Sequence, residues 1–432
     1  MKILIIDATS ASLDFATRCM TEGHEVRVFL GPNKNGSKSR VGEGILKIIG
    51  NWEPSMNWAD IVFLTDNAKY LHNLESYHKQ GYPVVGPSVV TADWELNRSL
   101  GQRVLEDAGI EVIPSTTFNS YNDAMAFVLK NKDKRYVSKP SGDADKALSY
   151  VSKSYRDMIY MLESWKRVGK PRQPFILQEF HKGIEMAVGV WFGKGGFNGP
   201  WLENFEHKKL MVGDVGVNTG EMGTALKYVN ESKLADMMLA PLEGELYRQG
   251  YVGYIDVSVI IDSAGKPWPL EFTTRPGWPL FQIQQVLHPE PVEWMMSMVD
   301  GFNSFKPVMK TAIGVVMAIR GFPSHSDARD DGIPVWGINE RNRAFMHPSE
   351  MRLGTAPSAN GAPESSLVTA GNYVITVSGT GNSVGAAKDA AYKHVKELEI
   401  PSSPMYRTDI GDRVVKQLPE LQAMGFALEW NE

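Results

Sequence analysis

Short apolar runs separated by helix-length amphipathic segments dominate the first hundred residues. Lys2–Ile6, Glu25–Leu30, Ile61–Leu64 and Pro83–Val85 read as buried strands, while Ser12–Gly23 and Tyr70–Gly81 carry the three-to-four-residue apolar spacing of helices. That alternation predicts a doubly wound parallel α/β domain over residues 1–95. A helical stretch, Trp94–Gly109, leads to the amphipathic Tyr121–Lys130 and to a strand at Arg135–Lys139. Strand patterns follow at Phe175–Phe180 and Glu185–Phe192, then a glycine-rich tract at Met211–Gly223 and a helix at Leu234–Gly250. Tyr254–Asp262 and Trp268–Phe272 read as paired strands, joined by a hairpin turn over Ser263–Lys266. Residues 96–303 therefore have α+β character. Beyond them, Ala312–Ala318, Ile333–Val335, Arg343–His347, Ser366–Ala370 and Tyr373–Ser378 are strand-like, and Ser383–Leu398 is helical, which predicts a smaller α+β domain over 304–425.

At 432 residues the chain is too long for one compact core. Apolar residues make up 43% and charged residues 22%, with a net charge of −5, so no basic surface invites nucleic acid or an anionic membrane. The one cysteine, Cys19, excludes an internal disulfide and fits a reducing compartment. Nothing at the start resembles a charged-then-apolar export signal, and no stretch approaches the roughly 20 apolar residues of a membrane helix. A cytoplasmic protein, without membrane or nucleic-acid partners, is expected.

The chemistry concentrates in Trp268–Gly277, which sets Glu271 and Arg275 at the end of a strand that neighbours the one carrying Asp256. Two carboxylates on adjacent strands with an arginine beside them suit a hard divalent cation and a transferring phosphoryl group. The same residues also fit an ordinary charged strand end. Lys139 closes a strand before the polar segment Pro140–Lys146, so it could reach phosphates or lie in a solvated loop. Gly379–Gly385 follows a strand and opens a helix, but its last glycine is one residue late for a dinucleotide fingerprint, and Ser383 reads as a helix cap. Glu206–Lys209 and Gly216–Gly223 combine charge with glycines that let backbone amides approach a small anion, or form a charged hairpin and its loop. No zinc spacing and no serine nucleophile elbow is present.

Taken in order, Lys139, Gln178–Glu185, Glu206–Lys209, Asn218–Gly223 and Leu270–Arg275 resemble the ATP-grasp superfamily, and within it the phosphoribosylamine–glycine ligases. The likeness continues through Ala312–Met317 and Arg407–Gly411 and so covers most of the chain. It implies an N-terminal doubly wound domain, central ATP-grasp lobes with ATP between them, and a C-terminal domain completing the amine site. It also implies ATP and Mg2+ (Mn2+ as a substitute), small-molecule substrates (glycine or another amino acid, and an amine), and a monomer or dimer. By resemblance Lys139 and Arg98 contact phosphates and Lys146 or its loop covers them. Glu179 and Phe180 form the adenine hinge, Glu185 accepts the ribose hydroxyls, Asp256, Glu271 and Thr273 hold the metal, and Arg275 steadies the phosphoryl group. Glu206, His207, Lys208, Asp214, Asn218, Thr219 and Gly220 would hold the amino acid. Thr9 and Ser10 would serve the acceptor.

Three departures stand out. Where the family has a glycine-rich loop with an arginine, this chain has Asp7-Ala8-Thr9-Ser10-Ala11-Ser12-Leu13-Asp14, and where it has Gly-Pro-Glu the chain has Leu64–Asn67. Asp7 and Asp14 repel phosphate, although Thr9, Ser10 and Ser12 can donate hydrogen bonds. The lid after Lys139 lacks the family's glycine content. Thr273 stands at the family's asparagine ligand. The resemblance thus implies an ATP-dependent carboxylate–amine ligase working through an acyl phosphate, with a different amine, or a nucleotide-binding homologue without catalysis, as the alternatives.

Overall fold

The computed structural model describes residues 1–33, 36–140, 149–169, 174–323, 328–358, 360–401 and 403–432. Lys146, expected to cover the phosphates, lies with most of the segment after Lys139 outside the described residues.

The N-terminal strands Lys2–Asp7, Glu25–Leu30, Ile48–Ile49, Ile61–Leu64 and Val84–Val85 form an all-parallel sheet. In spatial order they run Ile48–Ile49, Glu25–Leu30, Lys2–Asp7, Ile61–Leu64, Val84–Val85. Near-continuous apolar runs are what a parallel sheet buried on both faces requires, and Ile3 to Ile6 and Ile61 to Leu64 are all buried. The helix Leu13–Thr21 and the helix Leu71–Lys79 occupy the segments expected for them.

The centre of the molecule is an eight-stranded antiparallel sheet in the order Pro267–Thr273, Gly253–Ile261, Ile184–Gly193, Gly196–Glu206, Gly223–Val229, Thr311–Ala318, Tyr373–Gly381, Met346–Pro348. It runs without interruption across residue 304. One apolar core likewise joins Val188, Val257 and Phe272 to Ile313, Val377 and Leu418. A separate four-stranded sheet, Ser115–Phe118, Phe175–Glu179, Tyr136–Pro140 and Tyr150–Val151, packs on the helices Tyr121–Lys130 and Tyr155–Arg167 around Phe118, Met158, Leu162 and Phe175. Ser120 and Ser154 accept a hydrogen bond from the third residue of each helix, a cap that fixes where each begins.

Three elements differ from the pattern-based expectation. The helix expected over Trp94–Gly109 is two helices, Val89–Leu96 and Arg98–Asp107, because Asn97 turns extended and caps the second through Leu100 N. The helix expected over Leu234–Gly250 is divided into Lys233–Met238, a 3-10 turn Ala240–Leu242 and Glu243–Arg248, since Pro241 supplies no amide donor to continue the first. Arg343–Phe345 is a 3-10 turn, and only Met346–Pro348 of that stretch is strand. Ser383 caps the helix Val384–Val395 as expected, accepting from Ala386 N.

Aromatic packing seats the N-terminal sheet on the central one. Phe63 lies 4.6 Å from Phe15 and 5.4 Å from Phe281, which in turn packs 5.8 Å from Trp191. A buried polar link adds direction: His347 Nδ1 is 2.8 Å from Asp14 Oδ2, and His347 Nε2 is 2.8 Å from Ser378 Oγ. All three side chains are sealed from solvent, so this Ser–His–Asp series ties domains together and presents no nucleophile. Among the described residues no helix is long and apolar enough to cross a membrane.

Candidate functional site

Beside one end of the central sheet, where the helices Val89–Leu96 and Arg98–Asp107 approach it, Glu95, Arg98, Glu206, Lys208, Gly220, Glu221, Asp256, Glu271, Thr273, Arg275 and Trp278 line a polar cleft. Strand register explains the convergence. In the antiparallel pair Gly253–Ile261 and Pro267–Thr273, Asp256 stands opposite Thr273 and Ser258 opposite Glu271, so the carboxylates of Asp256 and Glu271 come from adjacent strands near one end. Arg98 enters at the start of its helix and reaches Glu271 at 2.6 Å. Lys139 ends its strand in the smaller lobe, and its Nζ donates to Leu270 O at 3.2 Å, spanning the two lobes.

Charges are mutually arranged in this cleft. Lys208 Nζ is 2.8 Å from Glu185, 3.0 Å from Glu206 and 3.8 Å from Glu271. Burial alone would lower the Lys208 pKa, but Glu185, Glu206 and Glu271 together hold it well above the usual lysine range. Burial would raise Glu185, and the Lys208 ammonium outweighs it and pulls the carboxyl down. Lys139 is different: burial lowers it to about 8, Glu271 counteracts, and Arg98 and Lys208 add to the lowering. Asp256 is pushed up to about 8, first by burial and then by the negative charge of Glu206, against the hydrogen bonds it receives from Tyr254 and Asn204.

Those two hydrogen bonds, 3.0 Å from Tyr254 Oη and 2.9 Å from Asn204 Nδ2, both reach Asp256 Oδ2. The backbone makes room for them at Gly189, where a Cβ would stand 2.0 Å from Tyr254 Oη and 2.9 Å from Asp256 Oδ2. Replacing Gly189 by alanine is expected to cost about 2 kcal/mol through this overpacking. Thermal or urea unfolding would measure the loss, and an unchanged midpoint would show that the strands yield without cost.

Asp256, raised chiefly by burial and next by Glu206, lines the same cleft as Glu271, so two carboxylates from adjacent strands are available to a cation there. Among the described residues no three His, Cys, Asp or Glu side chains form a metal cage. A magnesium ion does not need one, since it ordinarily takes one or two carboxylates and keeps waters and substrate phosphates. The donor set therefore fits Mg2+ and does not fit a structural zinc.

The remaining residues singled out in the sequence divide by position. Glu179 N donates to Pro114 O, and Phe180 N to Arg135 O, so both sit on a backbone-anchored strand end. The Arg135 guanidinium lies 3.8 Å over the Phe180 ring, and Lys134 pairs with Glu179. Thr219 donates to Lys208 O at 2.9 Å and Asn218 Nδ2 to Ser149 O at 3.3 Å, next to Gly220 in the cleft wall. His207 and Asp214 are outside the cleft lining as well. His207 is fully buried, lowered to about 4 by burial and by Arg413 and Arg407. Asp214 pairs with Arg407 at 2.7 Å and Arg413 at 3.3 Å. Thr9 and Ser10 belong to the loop after the first strand, where Ser10 Oγ donates to Ser39 Oγ.

Glu95 was silent in the sequence. Its carboxylate accepts from Thr274 N at 2.9 Å and from Arg275 Nη2 at 3.0 Å, holding the arginine at the cleft wall. Only proximity in space reveals that role, because 180 residues separate the pair. A larger cavity, about 460 Å3, lies between the helix Leu13–Thr21 and the segment Arg343–Pro348; it is mainly apolar and contains none of the lysine–carboxylate set.

The chain is similar to known proteins over most of its length. The family model for the phosphoribosylglycinamide synthetase ATP-grasp (A) domain matches residues 97–279, and that for the C domain of the same synthetase matches 312–413. The phosphoribosylamine–glycine ligase of Ralstonia nicotianae is 25% identical over 359 residues, spanning 80% of this chain and 82% of that protein. The crystal structure of the phosphoribosylamine–glycine ligase from Thermotoga maritima superposes with a TM-score of 0.70 at 22% identity, covering 95% of this chain and 100% of that one. N5-carboxyaminoimidazole ribonucleotide synthetase from the same organism gives a TM-score of 0.58 at 14% identity, over 93% and 99% of the two chains. These structural likenesses establish a shared fold.

Proposed function

The chain belongs to the phosphoribosylglycinamide synthetase family of the ATP-grasp superfamily and is an ATP-dependent carbon–nitrogen ligase, and from that premise we propose that the cleft joins glycine to an amine. The observation that carries this reading is the convergence of Lys139, Arg98, Lys208 and Arg275 with Glu271 and Asp256 at the junction of two lobes.

In the first step a carboxylate oxygen of glycine attacks the γ-phosphorus of ATP, the bond to the β–γ bridging oxygen breaks, and ADP leaves. In the second the amine nitrogen attacks the acyl carbon, the carbon–oxygen bond to phosphate breaks, and inorganic phosphate departs with the surplus amine proton passing to phosphate or solvent. No covalent bond to the protein is needed. Positioning and charge stabilisation supply the rate. Lys139 and Arg98 face the triphosphate, and Arg275, held by Glu95, meets charge on the moving phosphoryl group. Glu271, Asp256 and Thr273 would hold Mg2+, or Mn2+ in its place; the ion neutralises triphosphate charge. The strand end at Glu179 and Phe180, its amides held by Pro114 O and Arg135 O, offers the adenine an apolar wall and carbonyl acceptors, and Glu185 has the acceptor oxygens a ribose needs. Lys208, with Glu206, Asn218, Thr219 and Gly220 around it, is placed for the glycine carboxylate and ammonium.

Mass spectrometry of a reaction containing Mg2+, ATP, glycine and amine, with each omitted in turn, tests this directly. Amide and ADP should appear only in the complete mixture. ADP formation indifferent to glycine would refute the reading.

A pH dependence follows from Lys139. Its pKa in the free protein is about 8, below that of an ordinary lysine, so the ammonium that attracts triphosphate is present below pH 8 and lost above it. The ratio kcat/KM for ATP, which reports the free enzyme, should therefore decline above about pH 8. Lys139→Met should lower kcat/KM about 100-fold and remove that alkaline limb; a limb that persists in the variant would assign it to another group.

A further inference from the structure

The parallel sheet changes winding direction between Lys2–Asp7 and Ile61–Leu64, since the chain adds later strands on opposite sides of that pair. Small ligands of such sheets bind beyond the strand carboxyl ends at this point. The segments there are Asp7–Ser12 and Thr65–Lys69.

Loop amides at this position ordinarily point at an anionic ligand. Here the chain turns two of them inward, those of Thr9 and Ser12. Asp7, fully buried, accepts from Thr9 N at 3.0 Å and Thr65 Oγ1 at 2.8 Å on one oxygen, and from Ser12 N at 2.8 Å on the other. A second carboxylate, Asp66, lies close enough to feel both Asp7 and Arg275; burial chiefly, then Asp7, raise it to about 6. Ser12 Oγ and Asn67 Nδ2 are buried, with no hydrogen-bond partner among the described residues. Of the cations nearby, Arg275 is paired with Glu95, and the exposed Lys69 reaches Ala8 O at 3.4 Å. The crevice adjoins the ligase cleft, because Trp278, a cleft-lining residue, donates from Nε1 to Thr65 O at 3.2 Å.

We infer that this crevice receives the amine acceptor and selects one that carries no phosphate, whose hydroxyl or amino groups donate to Asp66 and meet Ser12 and Asn67. A phosphate dianion entering here faces two carboxylates and finds the Thr9 and Ser12 amides occupied. The inference rests on the ligase reading above and specifies its acceptor class.

Hydroxylamine, a small phosphate-free acceptor, separates the two claims. Its nitrogen displaces phosphate from the acyl carbon to give glycine hydroxamate, so glycine-dependent hydroxamate and ADP report the ligase reading alone. Into that reaction, freshly generated ribosylamine or phosphoribosylamine is added at matched concentrations. Ribosylamine should suppress hydroxamate formation at about tenfold lower concentration or better, given the cost of opposing like charges. Equal or stronger suppression by phosphoribosylamine overturns the inference and leaves the ligase reading standing; absence of hydroxamate overturns both. In Asp66→Asn, verified as folded by its thermal midpoint, the preference should shrink to about threefold or less. A preference undiminished in that variant would remove Asp66 from the selection.

Discussion

Glu271→Gln should abolish ligation almost completely, with kcat falling by about 100- to 1,000-fold while the protein keeps its fold. Glu271 stands at the end of Pro267–Thr273, 2.6 Å from Arg98 and 3.8 Å from Lys208, and its charge supports the Lys139 ammonium. The amide retains the shape and loses the charge. Three cations then crowd a site that must also attract a metal–triphosphate complex, and the ligand oxygen that a divalent ion favours becomes a neutral carbonyl. ADP release, followed with glycine and amine at saturation, is the measurement. Raising Mg2+ or Mn2+ should recover part of the rate if the lost function is metal binding. Turnover equal to the parent protein would remove Glu271 from the metal site.

Lys208→Met is expected to cost about 100-fold in kcat/KM for glycine and to move the acid limb of the pH profile upward. The direction follows from linkage. Burial pushes Glu185 up, Lys208 more than offsets it, and the folded pKa therefore lies below the ordinary glutamate value. Its contribution to stability is complete above the unfolded pKa and is lost as pH falls through the depressed folded value. Without Lys208 only Arg413 opposes burial and the repulsion of Glu271, so Glu185 protonates at higher pH and the site fails earlier on acidification. A pH series of initial rates, together with thermal midpoints, distinguishes this from simple unfolding. An acid limb at the same pH in both proteins would refute the coupling. Lys208 keeps about a third of its side chain exposed, so solvent screening limits the stability loss more than the catalytic one.

The linear sequence revealed elements wherever a single physical rule governed them. Apolar runs bounded by turns located the parallel strands from Lys2 to Val85, and Ser383 announced the helix it caps. It misled where a local break competed with a long periodic pattern, at Asn97 and at Pro241. The strand Gly196–Glu206 escaped notice because Gly196, Gly199 and Pro200 interrupt the alternation that marks a strand, although pairing on both sides supplies its hydrogen bonds. Asp412–Ala423 hid for a similar reason, with Pro419 inside the helix. Among cleft residues, Glu271 and Arg275 were legible because carboxylate and guanidinium fall within five positions at a strand end. Glu95 carried no local signal at all.

Residue type and order were enough to specify the layered architecture and the acid–lysine–arginine set, since burial of apolar faces and neutralisation of phosphate are demands each segment meets with its own side chains. Which of those side chains act together was decided only by tertiary structure. Register across two strands set Asp256 beside Thr273 and brought Glu271 near it, while packing of Phe63 on Phe281 brought the loop after Ile61–Leu64 next to Trp278. His207, between two cleft residues in sequence, was turned into a buried core, and Asp214 was drawn to Arg407. The same folding closed the Thr9 and Ser12 amides onto Asp7, since a buried carboxylate must find donors within the chain.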